Sequence, residues 1–200
     1  MVLYFGWQAA PAELSVFTDS DWAGCVTSRK STSGGVVMRG SHLLKHWSST
    51  QATVALSSAE AELIALVRGA SEGLGVRSLA VDFGIFPGVS LATDATAAVG
   101  ICKRTGVGRI RHLDTRLLWI QDKVRTGELR LYKVLGLENP ADLFTKFLSS
   151  ETAAGHAARI RFWPVQGRAE VTPDLSALTR SRPRGHQAEG PRSVDLMCGF

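Results

Sequence analysis

The stretch that decides the fold of this chain reads Leu14-Ser15-Val16-Phe17-Thr18-Asp19-Ser20-Asp21-Trp22-Ala23-Gly24. Its side chains alternate from position 14 to 19, and the run is rich in β-branched and aromatic residues, which predicts a short strand. The strand is expected to end at Asp19, so that this carboxylate is anchored in a buried sheet at the sheet edge. One acid in such a place carries little meaning without the acids found elsewhere in the chain.

The composition sets the class of protein. The chain has 200 residues, 44% of them hydrophobic, which suits one domain with a tail or two small domains. It contains no run of about 18 apolar residues and no signal-peptide pattern at the N-terminus, so we expect an intracellular protein without a membrane partner. The net charge of +5 permits a polyanionic partner without proving one.

The remaining elements follow from periodicity and from turn and cap signals. Strands are predicted at 36–39 and 43–48, which with the first strand form an antiparallel meander. Ser57 and Glu60 form a capping box, which predicts a helix from there to about Phe83. Strands at 89–94 and 129–134 and helices at 95–102 and 112–124 come next, and Asn139 and Pro140 start a last helix.

The resulting order, β-β-β-α-β-α-α-β-α, predicts an α/β fold. Its five-stranded mixed sheet combines the antiparallel meander with parallel strands and is flanked by helices. We expect a connector at 1–13, one domain at 14–150 and a poorly ordered tail, rich in Arg, Gly and Pro, at 151–200.

Four acids lie at the edges of these elements: Asp19, Glu62, Asp94 and Asp142. If the first and fourth strands are neighbours, two of these acids lie side by side, and the helices can bring the other two. Clustered carboxylates stay ionised only with cations, and hard divalent ions prefer oxygen ligands. Two such ions would support phosphodiester hydrolysis.

Two neighbouring acids compete for these roles. Asp21 lies past the expected strand end and could equally cap the loop, whereas Glu60 is more simply a capping-box partner. For Asp142 alone, the helix dipole would be a sufficient explanation.

Six motifs occur in an order that closely resembles the ribonuclease H domain of copia-type LTR retrotransposon Pol polyproteins, over roughly residues 14–148. They are Thr-Asp-Ser-Asp-Trp-Ala-Gly-Cys, Arg-Lys-Ser-Thr-Ser-Gly-Gly, Trp-Ser-Ser-Thr-Gln, Ala-Leu-Ser-Ser-Ala-Glu-Ala-Glu-Leu, Arg-His-Leu-Asp-Thr-Arg and Asn-Pro-Ala-Asp-Leu-Phe-Thr-Lys.

The resemblance implies a ribonuclease H fold, two Mg²⁺ or Mn²⁺ ions and cleavage of the RNA strand of an RNA–DNA hybrid. It places the catalytic, metal-binding acids at Asp19, Glu62, Asp94 and Asp142. It also implies a reverse transcriptase region in the parent polyprotein, to which 1–13 would connect, and a cytoplasmic location.

The chain departs from the family pattern in two places. Residues 130–141 contain no histidine, although many ribonucleases H carry a catalytic one in the loop before the last acid. Phe147 stands where family members often have proline.

Two basic loops are the predicted contacts for nucleic-acid phosphates. The first follows the opening strand and the second follows the short helix 95–102. The predicted contact residues are Arg29, Lys30, Ser31, Ser33, Lys103 and Arg109. Trp22 and Trp47 are more simply packing residues than base-stacking ones.

Two other functions remain open from the sequence. The same fold and acids could serve a DNA nuclease, because fold does not fix substrate. The chain could also be a non-catalytic nucleic-acid-binding relic of a retrotransposon.

Overall fold

The computed structural model describes residues 2–106, 108 and 114–163. Within this part the strands are β1 (Val2–Leu3), β2 (Glu13–Asp21), β3 (Thr32–Arg39), β4 (His42–Thr50), β5 (Gly88–Thr93), β6 (Leu129–Lys133) and β7 (Phe162–Trp163). The helices are α1 (Ser58–Asp82), α2 (Thr96–Lys103), α3 (Trp119–Arg125) and α4 (Ser150–Arg159), with 3₁₀ helices at Thr115–Leu118, Gly136–Glu138 and Pro140–Phe144.

The main sheet has the strand order β4-β3-β2-β5-β6. β2, β3 and β4 pair antiparallel, whereas β2 pairs with β5 and β5 with β6 in parallel. The register sets Phe17 opposite Ala92, so β2 and β5 end at the same edge of the sheet. The predicted α/β class and its five-stranded mixed sheet are therefore confirmed.

The long helix α1 crosses the sheet at short range because glycines face it. A Cβ atom on Gly69 would lie 2.3 Å from a methyl of Thr18, and one on Gly73 would lie 2.8 Å from a methyl of Val16. These glycines cost helix propensity, but they let the backbone of α1 approach β2. Leu63 and Leu66 on the same helix are fully buried in the main core.

The last predicted helix is shorter and tighter than expected. Asn139 caps it as predicted, accepting a hydrogen bond from the amide of Ala141, but the segment Pro140–Phe144 forms a 3₁₀ helix rather than an α-helix. α4 follows it after a short break at 145–149.

The predicted tail boundary at residue 150 also needs correction. Residues 150–159 form α4, and β7 pairs antiparallel with β1 in a separate two-stranded sheet. Ile160 is buried in a second cluster with Val36, Met38 and Leu43, so this segment covers the face of the sheet opposite α1. The sequence underestimated it because ten helical residues with few large apolar side chains give a weak periodic signal. Residues 164–200 of the predicted tail lie outside the described part.

None of the helices in the described part is both long and apolar enough to span a membrane.

Candidate active site

Three carboxylates meet at the edge where β2 and β5 end. Asp19 belongs to β2, Asp94 follows β5 directly, and Glu62 lies in the second turn of α1. One carboxylate oxygen from each lies within 4.8 Å of the other two. Parallel pairing brings the two aspartates to one sheet edge, and α1 supplies the glutamate from above. Three of the four predicted acids are therefore in one cluster.

Glu62 is held by the start of α1. Ser57 caps this helix by accepting a hydrogen bond from the amide of Glu60, as predicted. The side chain of Gln51 donates to the hydroxyl of Ser33 (2.8 Å) and to the carbonyl of Ala61 (2.9 Å), which ties the first turn of α1 to the sheet. The backbone amide of Ser20 then donates to Glu62 Oε1 at 3.3 Å.

The competing acids are placed differently. Glu60 Oε2 accepts a hydrogen bond from the amide of Leu56 at 2.7 Å, which is a capping role. Asp21 lies at the end of β2 and lines a neighbouring cleft rather than the three-carboxylate cluster. Their positions fit the preference for Asp19 and Glu62.

The cluster is electrostatically strained without cations. Burial, together with the neighbouring charges of Asp19 and Asp94, raises the pKa of Glu62 to about 8. Burial likewise raises the pKa of Asp19 to about 6, although hydrogen bonding from Thr145 and the charge of Lys146 oppose this. Both groups bind protons more readily than free carboxyls because their charges lack full compensation.

This donor set fits a hard divalent cation. All three ligand groups are carboxylates, and Glu62 Oε2 is buried without a hydrogen-bond partner in the described part of the chain. Mg²⁺ prefers carboxylate oxygens together with water and substrate phosphate. A cation would supply the charge that the two raised pKa values show to be missing.

The fourth predicted acid, Asp142, lies on the far side of a lysine. Lys146 Nζ is 3.2 Å from the carboxylate of Asp19 and 3.4 Å from that of Asp142. The hydroxyl of Thr145 donates a short hydrogen bond to the Asp19 carboxylate. Asp142 is thus linked to the cluster through an ammonium group rather than by direct approach.

The segment that carries Asp142 is anchored close to Asp19. Asn139 is fully buried, and its side-chain amide donates to the carbonyl of Thr18 at 2.9 Å. On β3, a Cβ atom at Gly34 would lie 2.8 Å from Cβ of Phe144. The glycine lets the 3₁₀ helix lie directly on the sheet, which brings Thr145 and Lys146 to Asp19.

The predicted phosphate contacts divide into exposed and buried groups. Arg29 is exposed and Lys30 half-buried in the loop before β3. Ser31 and Ser33 are buried, and their hydroxyls accept hydrogen bonds from the amide of Ala23 and from Gln51. The two serine hydroxyls therefore take part in internal hydrogen bonds, whereas Arg29 and Lys30 are at least partly exposed.

The second predicted loop is partly described. Lys103 is exposed at the end of α2, whereas Arg109 lies outside the described residues. Trp47 is buried in the core, as expected of a packing residue. Trp22 is 49% exposed and donates its indole hydrogen to the carbonyl of Ala55.

A cleft of about 470 Å³ adjoins the site between the loop after β2 and the segment after Asp142. Its walls combine apolar side chains with hydroxyl and carboxylate groups, and it opens beside Lys146. The lining residues include Asp21, Val26, Thr27, Phe144 and Phe147. None of the three acids lines the cleft, which reaches the cluster through Thr145 and Lys146, the two residues that contact Asp19.

Sequence reasoning missed a buried histidine on α4. His156 is 2% exposed, and neither ring nitrogen has a hydrogen-bond partner in the described part. Burial lowers its pKa, against the opposing charge of Asp142. No sequence signal marked this residue, because a lone histidine in a short helix is unremarkable.

Comparisons with known proteins agree with the motifs. No protein-family model matches the chain. It is 31% identical over 135 residues to the retrovirus-related Pol polyprotein from transposon TNT 1-94 of Nicotiana tabacum, covering 66% of this chain and 10% of that protein. It is also 31% identical over 151 residues to that from transposon RE1 of Arabidopsis thaliana, covering 74% of this chain and 10% of that protein.

Solved structures with related architecture include two ribonucleases H1. The enzyme from the halophilic archaeon Halobacterium salinarum NRC-1 is 18% identical, with a TM-score of 0.48 and coverage of 66% of this chain and 94% of that one. LC11-RNase H1 in complex with an RNA/DNA hybrid is 16% identical, with a TM-score of 0.45 and the same coverages.

The sheet order and the acids at its edge define a ribonuclease H-like α/β domain. Over about two thirds to three quarters of its length the chain is similar to retrovirus-related Pol polyproteins from transposons, which agrees with the resemblance that the six motifs carry. It spans about a tenth of the length of the curated relatives that it matches.

Proposed function

We propose that this chain is an endoribonuclease that cleaves the RNA strand of RNA–DNA hybrids and depends on divalent cations. The observation that carries the proposal is the cluster of Asp19, Glu62 and Asp94, three carboxylates within 4.8 Å at the edge of the sheet. The family relation supports the choice of nucleic acid as substrate.

The three acids take different parts in this proposal. Asp19 and Asp94 are fixed by adjoining strands and provide rigid cation ligands. Glu62 has one oxygen on the Ser20 amide and a second without a partner, which suits it to bind a cation and to orient the attacking water. When bound, Mg²⁺ or Mn²⁺ would activate that water and stabilise the leaving oxygen.

A second cation position is proposed between Asp19 and Asp142. Both carboxylates already face one positive charge there, the ammonium of Lys146. With two ions, the four acids predicted from the motifs would all serve as ligands.

The proposed substrate path runs along the cleft beside Lys146. Arg29 and Lys30 lie in the loop that is proposed to border one side of this path. Lys103 and Arg109 are proposed to border the other side. These cations would position phosphates without reading bases. By the same family relation, residues 1–13 are proposed to connect to a reverse transcriptase region, and the reaction is proposed to take place in the cytoplasm.

The test uses the purified chain with end-labelled RNA–DNA hybrid, duplex RNA and duplex DNA, in Mg²⁺ and in chelator. We expect cleavage of the RNA strand of the hybrid only, with saturable dependence on Mg²⁺. Asp94→Asn should remove cleavage, and Asp82→Asn, an exposed acid at the end of α1, should leave it unchanged.

Other outcomes would redirect the assignment. Cleavage of duplex DNA in preference to hybrid would make the chain a DNA nuclease. Equal binding of hybrid in Mg²⁺ and in chelator, with no cleavage in either, would make it a binding relic.

A further inference from the structure

The ammonium of Lys146 stands between two acids proposed as cation ligands. Its Nζ lies 3.2 Å from the Asp19 carboxylate and 3.4 Å from Asp142 Oδ1. The side chains of these acids are 1% and 14% exposed, so the pair is shielded from solvent. Surface ion pairs contribute little, but a cation between two buried acids compensates charges that would otherwise repel.

The ammonium of Lys146 can leave this position while the backbone of the residue stays in place. Its amide donates to the carbonyl of Asp142 at 3.2 Å, which closes the last turn after the 3₁₀ helix. Its side chain is 37% exposed and lies at the mouth of the cleft. Rotation about the four-carbon stem can carry the ammonium into solvent without moving Asp142.

The other two acids of the cluster, Glu62 and Asp94, have no such internal cation. Within the described part of the chain, neither carboxylate forms an ion pair with an ammonium or guanidinium group. The two cation positions of the proposed site therefore differ in one respect: only the position between Asp19 and Asp142 is already filled by the protein.

We propose that Lys146 is a built-in placeholder for the second cation, which makes the two positions load in order. The position at Asp19, Glu62 and Asp94 fills first, and the position between Asp19 and Asp142 fills only when the ammonium moves away. Like charges repel at these distances, so lysine and a divalent ion exclude each other there. The inference rests on the proposed function, since it takes these acids to be cation ligands.

The experiment is a calorimetric titration of the metal-free chain with Mn²⁺ alone, without substrate. Wild type should show one tighter and one weaker site. Lys146→Met should bind the second ion about tenfold more tightly or better, because the competing charge is gone. Its melting temperature in chelator should fall, because Asp19 and Asp142 are then uncompensated, and Mn²⁺ should restore it.

Three further variants control this result. Lys45→Met removes a surface lysine that pairs with Glu72, and it should leave both Mn²⁺ constants at wild-type values. Lys146→Arg keeps the charge and should keep the weak second site, which guards against a folding defect in the methionine variant. Asp142→Asn should remove the second site and leave the first.

Wild-type Mn²⁺ constants in Lys146→Met, with the first site intact, would overturn the placeholder role and leave the proposed function standing. Ordered loading in a chain that cuts no nucleic acid would sustain the placeholder role and remove the proposed function. Failure of wild type to bind Mn²⁺ would overturn both.

Discussion

The two ends of β2 carry the same kind of side chain in opposite circumstances. Glu13 opens the strand and pairs with Arg130 at the start of β6, with both side chains partly open to solvent. Asp19, six residues on, is 1% exposed and faces two further acids, and its pKa rises to about 6. The charge of Glu13 is compensated by a neighbouring arginine. Asp19 lies buried beside two further acids, and a bound cation would stabilise the three carboxylates together.

The same contrast extends across the neighbouring strands. At the end where β2 begins, the acids nearby are paired by cations: Arg77 and Lys123 both reach Glu128. At the end where β2 finishes, Lys146 is the lone cation that the described residues bring to the acids, and it reaches Asp19 and Asp142 only. Function is therefore expected at the end with the charge deficit.

The largest difference between the two ends of β2 is expected when one acid at each end is neutralised. Asp19→Asn should lower hybrid cleavage by about 100-fold or more, because the shared cation ligand is lost. Glu13→Gln removes a partly exposed ion pair, so it should change the free energy of unfolding by less than about 1 kcal/mol and leave cleavage unchanged. Cleavage rates and denaturant unfolding curves of both variants test these expectations. Equal effects of the two substitutions would contradict the proposed difference between the two ends.

Removing one side-chain amide at each end, the buried Asn139 and the half-buried Gln8, should show a smaller difference. Asn139→Ala breaks the hydrogen bonds to the Thr18 carbonyl and the Ala141 amide, leaving buried groups unsatisfied. The expected loss is about 1–3 kcal/mol of unfolding free energy, with slower cleavage because Asp142 is less well held.

Its matched control is Gln8→Ala at the other end. Gln8 is half-buried and bonds to the carbonyl of Arg39 and the amide of Ser41, where water can replace it. It should cost less than Asn139→Ala and leave the rate unchanged. A larger loss for Gln8→Ala in urea titrations would show that the 3₁₀ segment is not what holds the site.

The contrast also bears on how much the sequence revealed. Strand alternation and the capping box predicted Asp19, Glu62 and Asp94 near the ends of a strand, a helix and a second strand, because each lies at a fixed step from a local signal. The structure has them near those ends, although β2 runs two residues further than predicted, to Asp21. The approach of Lys146 to Asp19 spans 127 positions along the chain and leaves no periodic trace. Such contacts depend on how the 3₁₀ helix lies on Gly34, which local patterns do not encode.

Burial of the two serines shows a different limit. Ser31 and Ser33 are predicted phosphate contacts because the run from 25 to 35 has the sequence of a polar, basic loop. In the structure β3 already begins at Thr32, so Ser33 lies within the strand and Ser31 directly precedes it, and both side chains are buried. Glycines adjoining a strand concealed its first residues, since they lower β-propensity where close packing requires them.

The charge deficit at the acidic end also predicts a pH dependence. The folded-state pKa of Glu62 is raised to about 8 and that of Asp19 to about 6, so the folded protein binds more protons than the unfolded chain. Stability in chelator should therefore fall as pH rises through these values. Between about pH 6.5 and 8.5 we expect the melting temperature to drop by roughly 5 °C, mainly through Glu62.

Two comparisons sharpen this measurement. Glu62→Gln should flatten the decline in this window, and saturating Mg²⁺ should reduce it in wild type. His156 has a lowered pKa and acts in the opposite direction, with stability lost as pH falls below about 6.5, so it lies outside the window. A decline that persists unchanged in Glu62→Gln would mean that the acid cluster is not its source.

The smallest expected effect concerns the exposed cations near the acidic end. Arg29→Ala with Lys30→Ala should weaken hybrid binding without altering Mn²⁺ affinity, because neither residue contacts the three acids. Each lost phosphate contact should reduce the slope of log K against log salt by about 0.9, the value for B-form duplex. Since phosphate contacts do not read bases, the loss should be uniform across hybrid sequences, and cleavage should recover at low salt and saturating hybrid.

The matched control neutralises two cations at the opposite end, Arg77→Ala with Arg130→Ala. It removes the same charge from the molecule, so the change in net charge is the same in the two double variants. Only a local phosphate contact changes the salt slope for one pair and not the other. If both pairs lower the slope equally, the loop before β3 is a solvated turn, and the substrate path moves to the side of Lys103.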